Sequence, residues 1–385
     1  AAAEAVSRQQ AEKASRLAKS RELVAFTLSE LEQQTDVSHS LGLLLAREAV
    51  LTTLKTDGYV TGPAEAVLRQ TIDAAPVLRI ALKGHIGRVN SASWSPDGRY
   101  ILTAGDDATA QIWEAETGEV LHVLSGHSSA VLSASWSPDG TQIITTGRDF
   151  SIRIWDAQTG TQVSQLPGHT TQVISASWSP DGIHIASGGS DGVRVWDIHT
   201  SEQLLFLERG SQTERDSIQI YNLVSFSPEG SRIAIAKRSP SVIIYDSQTG
   251  EKQMQLDAQS GSVNSTLWSR DGNRLVTTHE LLKAYVWNTK NGEVLHEFRH
   301  STDVQDADWS PDESRIVTVT SDGVVHIWDV LTGEELRQLQ ATTSPLWSVD
   351  WSPDGELLLT AGEDGVARIW ENEPAGQQNP ILHNG

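Results

Sequence analysis

The sequence predicts an all-β fold of seven repeated four-stranded blades, a propeller, preceded by a short helical segment. Three observations carry this reading: a ladder of paired tryptophans, turn chemistry that recurs in step with it, and a front segment of different texture. Twelve of the 13 Trp form the pairs Trp94/Trp113, Trp136/Trp155, Trp178/Trp196, Trp268/Trp287, Trp309/Trp328 and Trp351/Trp370, and Phe226/Tyr245 fills the one gap. Members of a pair stand 18 or 19 residues apart, and successive first members mostly 41 or 42 apart, with 48 between Trp178 and Phe226. One short sheet cannot bury its faces alone, so this period means stacked copies of a single supersecondary unit.

In chain order, residues 1–75 come first, without Trp and rich in Ala, Glu, Gln and Leu. Leu17, Val24, Leu28 and Leu31 at three- and four-residue steps mark one helix with an apolar stripe. Asp36 is placed to cap a second helix carrying Leu41, Leu44, Leu45 and Ala49, and Thr61-Gly62-Pro63 to start a third with Val67, Leu68 and Ile72 inward. The first full repeat, residues 84–125, shows the blade pattern. Gly84-His85 leads into Arg88 to Trp94, and Ser95-Pro96-Asp97-Gly98 supplies a type I turn. Ile101 to Asp107, Ala110 to Trp113 and Val120 to Leu124 then read as the remaining strands, with Glu116-Thr117-Gly118 as a second turn. Four short antiparallel strands per unit make a propeller blade.

Gly-His at the front of the unit and Trp-Asp at its back (Trp155-Asp156, Trp196-Asp197, Trp328-Asp329) resemble the WD-repeat family, in register over about residues 77–371. The resemblance implies a seven-bladed WD-repeat propeller over 76–372, with residues 77–82 as the outer strand of the last blade, and a tail over 373–385. It also implies a buried hydrogen-bonded set in each complete blade: His85/Thr103/Asp107/Trp113, His127/Thr145/Asp149/Trp155, His169/Ser187/Asp191/Trp196 and His300/Thr318/Asp322/Trp328. Blade 7 keeps Thr360, Asp364 and Trp370 but has Thr342 at the His position, and blades 4 and 5 have Ser217 and Gln259 there with no aligned Asp. A full set buries polar groups with partners, which fixes the register of a thin sheet.

Ser or Thr, His and Asp together also suggest a hydrolase triad. A catalytic triad is a single exposed constellation with an oxyanion site beside it, whereas this trio recurs in four blades with a Trp as fourth member. His296-Glu297-Phe298-Arg299-His300 matches the zinc-protease pattern, which grips a metal only on a helix. Here it reads as an outer strand, where four residues span roughly 13 Å. No Gly-x-x-x-x-Gly-Lys-[Ser/Thr] run occurs, and Gly188 to Gly192 falls at a repeat turn. No catalytic, cofactor or metal site is therefore expected.

The net charge is −21, of which residues 1–75 carry −2. An acidic ring repels phosphate backbones, so nucleic acid is not an expected partner. There is no Cys, which excludes disulfides and thiolate metal sites. No run of about 18 apolar residues is present to span a membrane. The lack of Cys leaves the compartment open: cytoplasmic, or extracytoplasmic if a parent is membrane-anchored upstream of Ala1. The single Met, Met254, and the opening on Ala1 point to a processed or excised part of a longer product.

Ser20-Arg21-Glu22-Leu23, Leu43 to Val50 and Glu65 to Gln70 resemble the helical neck that joins bacterial STAND-type signalling NTPases to C-terminal WD repeats. That resemblance implies a larger parent whose motor is missing here and whose sensor arm is the propeller; the first helix is a separate candidate for self-association, through residues 1–35. Propellers bind mostly at the rim of the central channel. Four residues before each inner aromatic stand Asn90, Leu132, Ile174, Asn222, Asn264, Gln305 and Trp347, the one Trp outside the ladder. Six residues before stand, among others, Arg88 and Asp303. The expected site for a protein or peptide therefore has Trp347, Leu132 and Ile174 as apolar anchors, Arg88 and Asp303 as charges, and Asn90 beside them. The expected function is a non-enzymatic interaction and sensor module. A structural subunit, assembled through the helices and the propeller, is the alternative.

Overall fold

The computed structural model describes residues 78–207, 223–237, 239–258 and 260–372. The expected helices of residues 1–75, Ser217, Asn222, Gln259, the longer blade 4 loop and the tail lie outside the described residues. Every regular element described is a strand. β1 (Leu78–Lys83) comes first, and blade 1 follows with β2 (Val89–Trp94), β3 (Tyr100–Gly105), β4 (Thr109–Glu114) and β5 (Val120–Ser125). Blade 2 has β6 (Val131–Trp136), β7 (Gln142–Gly147), β8 (Ile152–Asp156) and β9 (Gln162–Leu166). Blade 3 has β10 (Val173–Trp178), β11 (His184–Gly189), β12 (Gly192–Asp197) and β13 (Gln203–Leu207). Blade 4 has β14 (Leu223–Phe226), β15 (Arg232–Ala236), β16 (Ser241–Asp246) and β17 (Lys252–Asp257). Blade 5 has β18 (Val263–Trp268), β19 (Arg274–His279), β20 (Lys283–Asn288) and β21 (Val294–Arg299). Blade 6 has β22 (Val304–Trp309), β23 (Arg315–Thr320), β24 (Val324–Asp329) and β25 (Glu335–Gln340). Blade 7 has β26 (Leu346–Trp351), β27 (Leu357–Gly362) and β28 (Val366–Glu371).

Each blade is one antiparallel four-stranded sheet, and blade 7 takes its fourth strand from the other end of the described chain, as β1 pairs with β28. The sharp return from first to second strand follows from Ser-Pro-Asp-Gly. In blade 1, Ser95 Oγ donates to Asp97 Oδ1 at 2.6 Å and accepts from the Tyr100 N–H at 2.9 Å, while Gly98 takes φ +72°. That left-handed conformation is open to glycine at little steric cost.

Seven apolar clusters fill the seven seams between blades. Leu82, Val89, Trp94, Ile101 and Trp113 meet Leu359, Ala361 and Ile369 across the seam that closes the ring. The Trp pairs divide this work. Second members sit inside the sheet and donate to a hydroxyl, as Trp113 does to Thr103. Several first members reach across a seam, as Trp178 Nε1 does to the Ser135 carbonyl at 3.3 Å. Fully burying a Trp removes about 150–250 Å² from water, so each rung is a large part of its seam.

Inner strands would leave backbone N–H groups unpaired at the channel. Side chains of the neighbouring blade cap several of them. Ser177 Oγ accepts from the Phe226 N–H at 3.2 Å, Ser348 Oγ from Ala92 at 3.2 Å, and Asp350 Oδ2 from Trp94 at 2.6 Å. The last two caps pass from blade 7 to blade 1.

Candidate functional site

The hydrogen-bonded sets carry the residues most easily read as catalytic. His85 Nε2 lies 2.8 Å from Thr103 Oγ1, Trp113 Nε1 donates to the same oxygen at 2.8 Å, and Asp107 lies 3.0 Å from His85 Nδ1. The carboxylate only accepts, so Nδ1 carries the proton, Nε2 accepts from the hydroxyl, and the hydroxyl accepts from the indole. His127 repeats this with Thr145 at 2.7 Å and Asp149 at 2.9 Å, and Trp155 donates to Thr145 at 2.8 Å. His169 does so with Ser187 at 2.8 Å and Asp191 at 2.7 Å, and Trp196 donates to Ser187 at 2.8 Å. Burial holds the three imidazoles below their usual pKa, against the pull of their aspartates. Thr103, Thr145 and Ser187 are fully buried, and an indole N–H occupies each hydroxyl. No substrate can reach such a nucleophile, so these are register pins.

The set expected in blade 6 is incomplete. His300 Nε2 lies 2.8 Å from Thr318 Oγ1 and Trp328 donates to that oxygen at 2.9 Å, but His300 Nδ1 is buried without a hydrogen-bond partner. The cause stands two residues after Thr318. Where complete blades have Gly105, Gly147 and Gly189, blade 6 has Thr320, whose hydroxyl donates to Asp322 Oδ1 at 2.6 Å and draws the carboxylate away. The glycines are needed: a Cβ on Gly147 would come 2.8 Å from the Ala130 carbonyl and 3.1 Å from His127 Nδ1. Burial and the neighbouring His326 push His300 down to about 3.

Blade 5 uses that same position differently. Its histidine is His279, on β19 itself, with Nε2 2.9 Å from Thr277 Oγ1 and Nδ1 3.0 Å from the Gly261 carbonyl, while Trp287 donates to Thr277 at 2.9 Å. Position-by-position comparison registers only a missing histidine and overlooks this replacement. In blade 7 Arg368 contacts Asp364 at 2.6 Å in place of a histidine. Blade 4 has Ile235, buried and apolar, at the Thr position.

His296 lies on strand β21, stacked on Phe298, and His300 follows the end of that strand. Among the described residues no group of three or more His, Asp or Glu is arranged to hold a metal ion. Gly188 and Gly189 belong to β11 and Gly192 opens β12, so the glycine run is a hairpin of blade 3. No helix among the described residues is long and apolar enough to cross a membrane.

The inner strands of all seven blades surround one cavity of about 190 Å³ at the end of the channel where they begin. Asn90, Leu132, Ile174, Asn264, Gln305 and Trp347 line it, so six of the positions counted back from the inner aromatics converge there. Below them lie Ser91, Ser133, Ser175, Ser265, Asp306 and Ser348. Asn90 donates to Asp106 Oδ1 and to the Val131 carbonyl of the next blade, both at 2.9 Å, which fixes its side chain. Trp347 donates from Nε1 to Glu363 Oε2 at 2.9 Å, and the Arg88 guanidinium covers its ring at 4.8 Å. Arg88 also lies 3.9 Å from both Asp106 and Glu363. Arg88 thus backs the indole and does not line the cavity. Asp303 stands apart too, accepting from the Leu281 N–H at 3.0 Å.

The structure adds a feature that sequence reasoning missed. Asp306 accepts from its neighbour Ala307 at 2.9 Å and from Val349 of the next blade at 3.1 Å, and Asp308 accepts from the Trp351 N–H at 2.7 Å. Enclosure in the channel wall pushes Asp306 up to about 6. Burial also raises Asp308 and Asp350, which hydrogen-bond each other and so share a proton. The signal in the sequence is Asp at one and three residues before the inner Trp, where blades 1–3 have Ser.

The sequence family described as "WD domain, G-beta repeat" matches residues 76–114, 118–156, 160–197, 292–329 and 333–371. The internal stretch without a match, residues 198–291, holds β13, blade 4 and the first three strands of blade 5. WD repeat-containing protein 1 of Xenopus tropicalis is 32% identical over 97 residues, 24% of this chain and 16% of that protein, and the Gallus gallus protein matches equally. Ribosome biogenesis protein ERB1 of Meyerozyma guilliermondii is 45% identical over 40 residues, 10% of this chain and 5% of that protein. The chain thus spans about a sixth or less of the length of these curated relatives. Half of the chain matches the repeat, and seven four-stranded sheets form one ring: the chain belongs to the WD-repeat family of β-propellers.

Proposed function

We propose that this propeller is a non-enzymatic interaction and sensor module that takes a protein or peptide at the channel mouth. The observation that carries the reading is the convergence of Asn90, Leu132, Ile174 and Trp347 on one cavity, with Trp347 already held by Glu363 and Arg88. An anchor fixed before binding loses little rotamer freedom on association, and Trp is enriched among interface hot spots. Arg88 acts in this reading through Trp347, and Asp303 through the turn at Leu281. In this reading the module is the C-terminal part of a bacterial STAND-like signalling protein, which the neck resemblance supports. That part rests on residues 1–75 alone, while the relatives in the comparison are frog, chicken and yeast proteins.

The test pans a displayed random-peptide library on the immobilised protein. Selected peptides should bind Trp347→Ala about thirty-fold or more weaker, the effect of losing a hot spot of about 2 kcal/mol. Leu331→Ala, in an exposed turn of blade 6, should leave binding unchanged. Peptides indifferent to Trp347 would refute the site. A second reading, a structural subunit, draws on β5, β9 and β13, the outer strands of three consecutive blades, which carry no charged residue. Uncharged edges are open to pairing with another chain. A defined large assembly by size-exclusion mass would favour it.

A further inference from the structure

We propose that the channel mouth selects a basic side chain, lysine or arginine, on the bound peptide, with the Asp306 carboxylate receiving the cation and Trp347 flanking its aliphatic stem. The inference rests on the reading of the mouth as the partner site. At about 190 Å³ the cavity is smaller than the pockets that hold drug-sized ligands, and it suits one extended side chain. Its wall is neutral hydrogen-bonding and apolar surface except at one place: among the described lining residues Asp306 alone is charged.

Asp306 is poorly compensated. Ala307, Val349 and Ser265 give it hydrogen bonds, and the charged groups facing it are Asp308 on its own strand and Asp350 on β26, both acidic. A carboxylate offers about four acceptor sites, so a free one remains toward the cavity. Burial in the channel wall, with the neighbouring Asp308 adding to it, raises its pKa to about 6. Arg88 does not repel an incoming cation, because Asp106 and Glu363 both lie beside it and leave that corner of the rim net negative. An indole accommodates a cation over its face and an alkyl stem along its body.

The probes are acetyl-Gly-Lys-Gly-amide and acetyl-Gly-Arg-Gly-amide, with acetyl-Gly-Gln-Gly-amide as the neutral control. Binding is read from the indole N–H resonance of Trp347, assigned as the one lost in Trp347→Phe. The basic peptides should shift it at concentrations at least about ten-fold below the glutamine peptide, the scale of a charge-assisted hydrogen bond. Asp306→Asn, which keeps an acceptor for the Val349 N–H, should remove that preference. Affinity of the lysine peptide should rise about ten-fold from pH 5 to pH 7 as Asp306 ionises.

Equal shifts from lysine and glutamine peptides, an unchanged preference in Asp306→Asn, or no shift from any peptide would each overturn the inference. The reading of the mouth would survive these results if library-selected peptides still depended on Trp347. An intact melting transition in Asp306→Asn separates lost recognition from lost folding.

Discussion

Replacing Thr320 with glycine should stabilise the protein, although glycine normally weakens a strand. In blade 6 the Thr320 hydroxyl holds Asp322 at 2.6 Å and leaves His300 Nδ1 buried without a partner. Removing it frees the carboxylate to turn onto His300 as Asp107, Asp149 and Asp191 do on their histidines. A hydrogen bond to a charged group contributes about 1.5–3 kcal/mol. Against it stand the lost Thr320–Asp322 bond, of the same size, and about 0.5–1 kcal/mol for glycine in a strand, while the buried His300 N–H that gains a partner recovers about 1–3 kcal/mol. The expected net gain is about 1 kcal/mol, or about 2 °C in melting temperature for a domain of this size. Denaturant unfolding at pH 7 measures it, and Asp322→Ala in the same background should erase the gain. The His300 titration should also move up from about 3. A loss of 1 kcal/mol with an unchanged His300 titration would show that Thr320 does not govern the set.

Asp308→Asn should stabilise the protein at pH 7.5 by about 1–2 kcal/mol and little at pH 4, because a raised pKa in the folded state costs stability as pH rises through it. Equal melting shifts at both pH values would contradict the shared proton. His279, held near 4 by burial, has the opposite sign: its contribution is intact above pH 6.5 and fades as pH falls toward 4. His279→Ala should destabilise by about 2 kcal/mol at pH 7, since Thr277 and the Gly261 carbonyl lose a partner, and unaltered unfolding would refute the replacement role. Gly147→Ala should cost at least as much, read by thermal unfolding, because its Cβ meets the Ala130 carbonyl.

The repeat is legible in the sequence because Trp is rare and its spacing is nearly constant, so seven imperfect copies reinforce one another. The residues of the first three hydrogen-bonded sets are legible for the same reason. His279 is not, because it sits on the same strand as Thr277, two residues after it, and a comparison by position registers only an absence at Gln259. The diversion of Asp322 depends on one hydroxyl at a position where the three complete sets have glycine. The channel carboxylates escape notice because Asp350 stands one repeat after Asp306 and Asp308 and meets them only when the blades are assembled. The register of the mouth follows from counting along strands, whereas Asp303 and Arg88 lie beyond the strands, where turn geometry decides direction.

Pairing of β1 with β28 makes the ring depend on residues from opposite ends of the repeat region. During synthesis the first strand must therefore wait while all seven blades emerge, with its exposed edge unmatched, and the last seam forms only after release of the final repeat. Seam-by-seam assembly with one late, distant contact implies slow completion and a partly built arc that is open to aggregation. It also implies that a truncation at either end exposes two faces at once, since blade 7 loses its outer strand and blade 1 loses its neighbour.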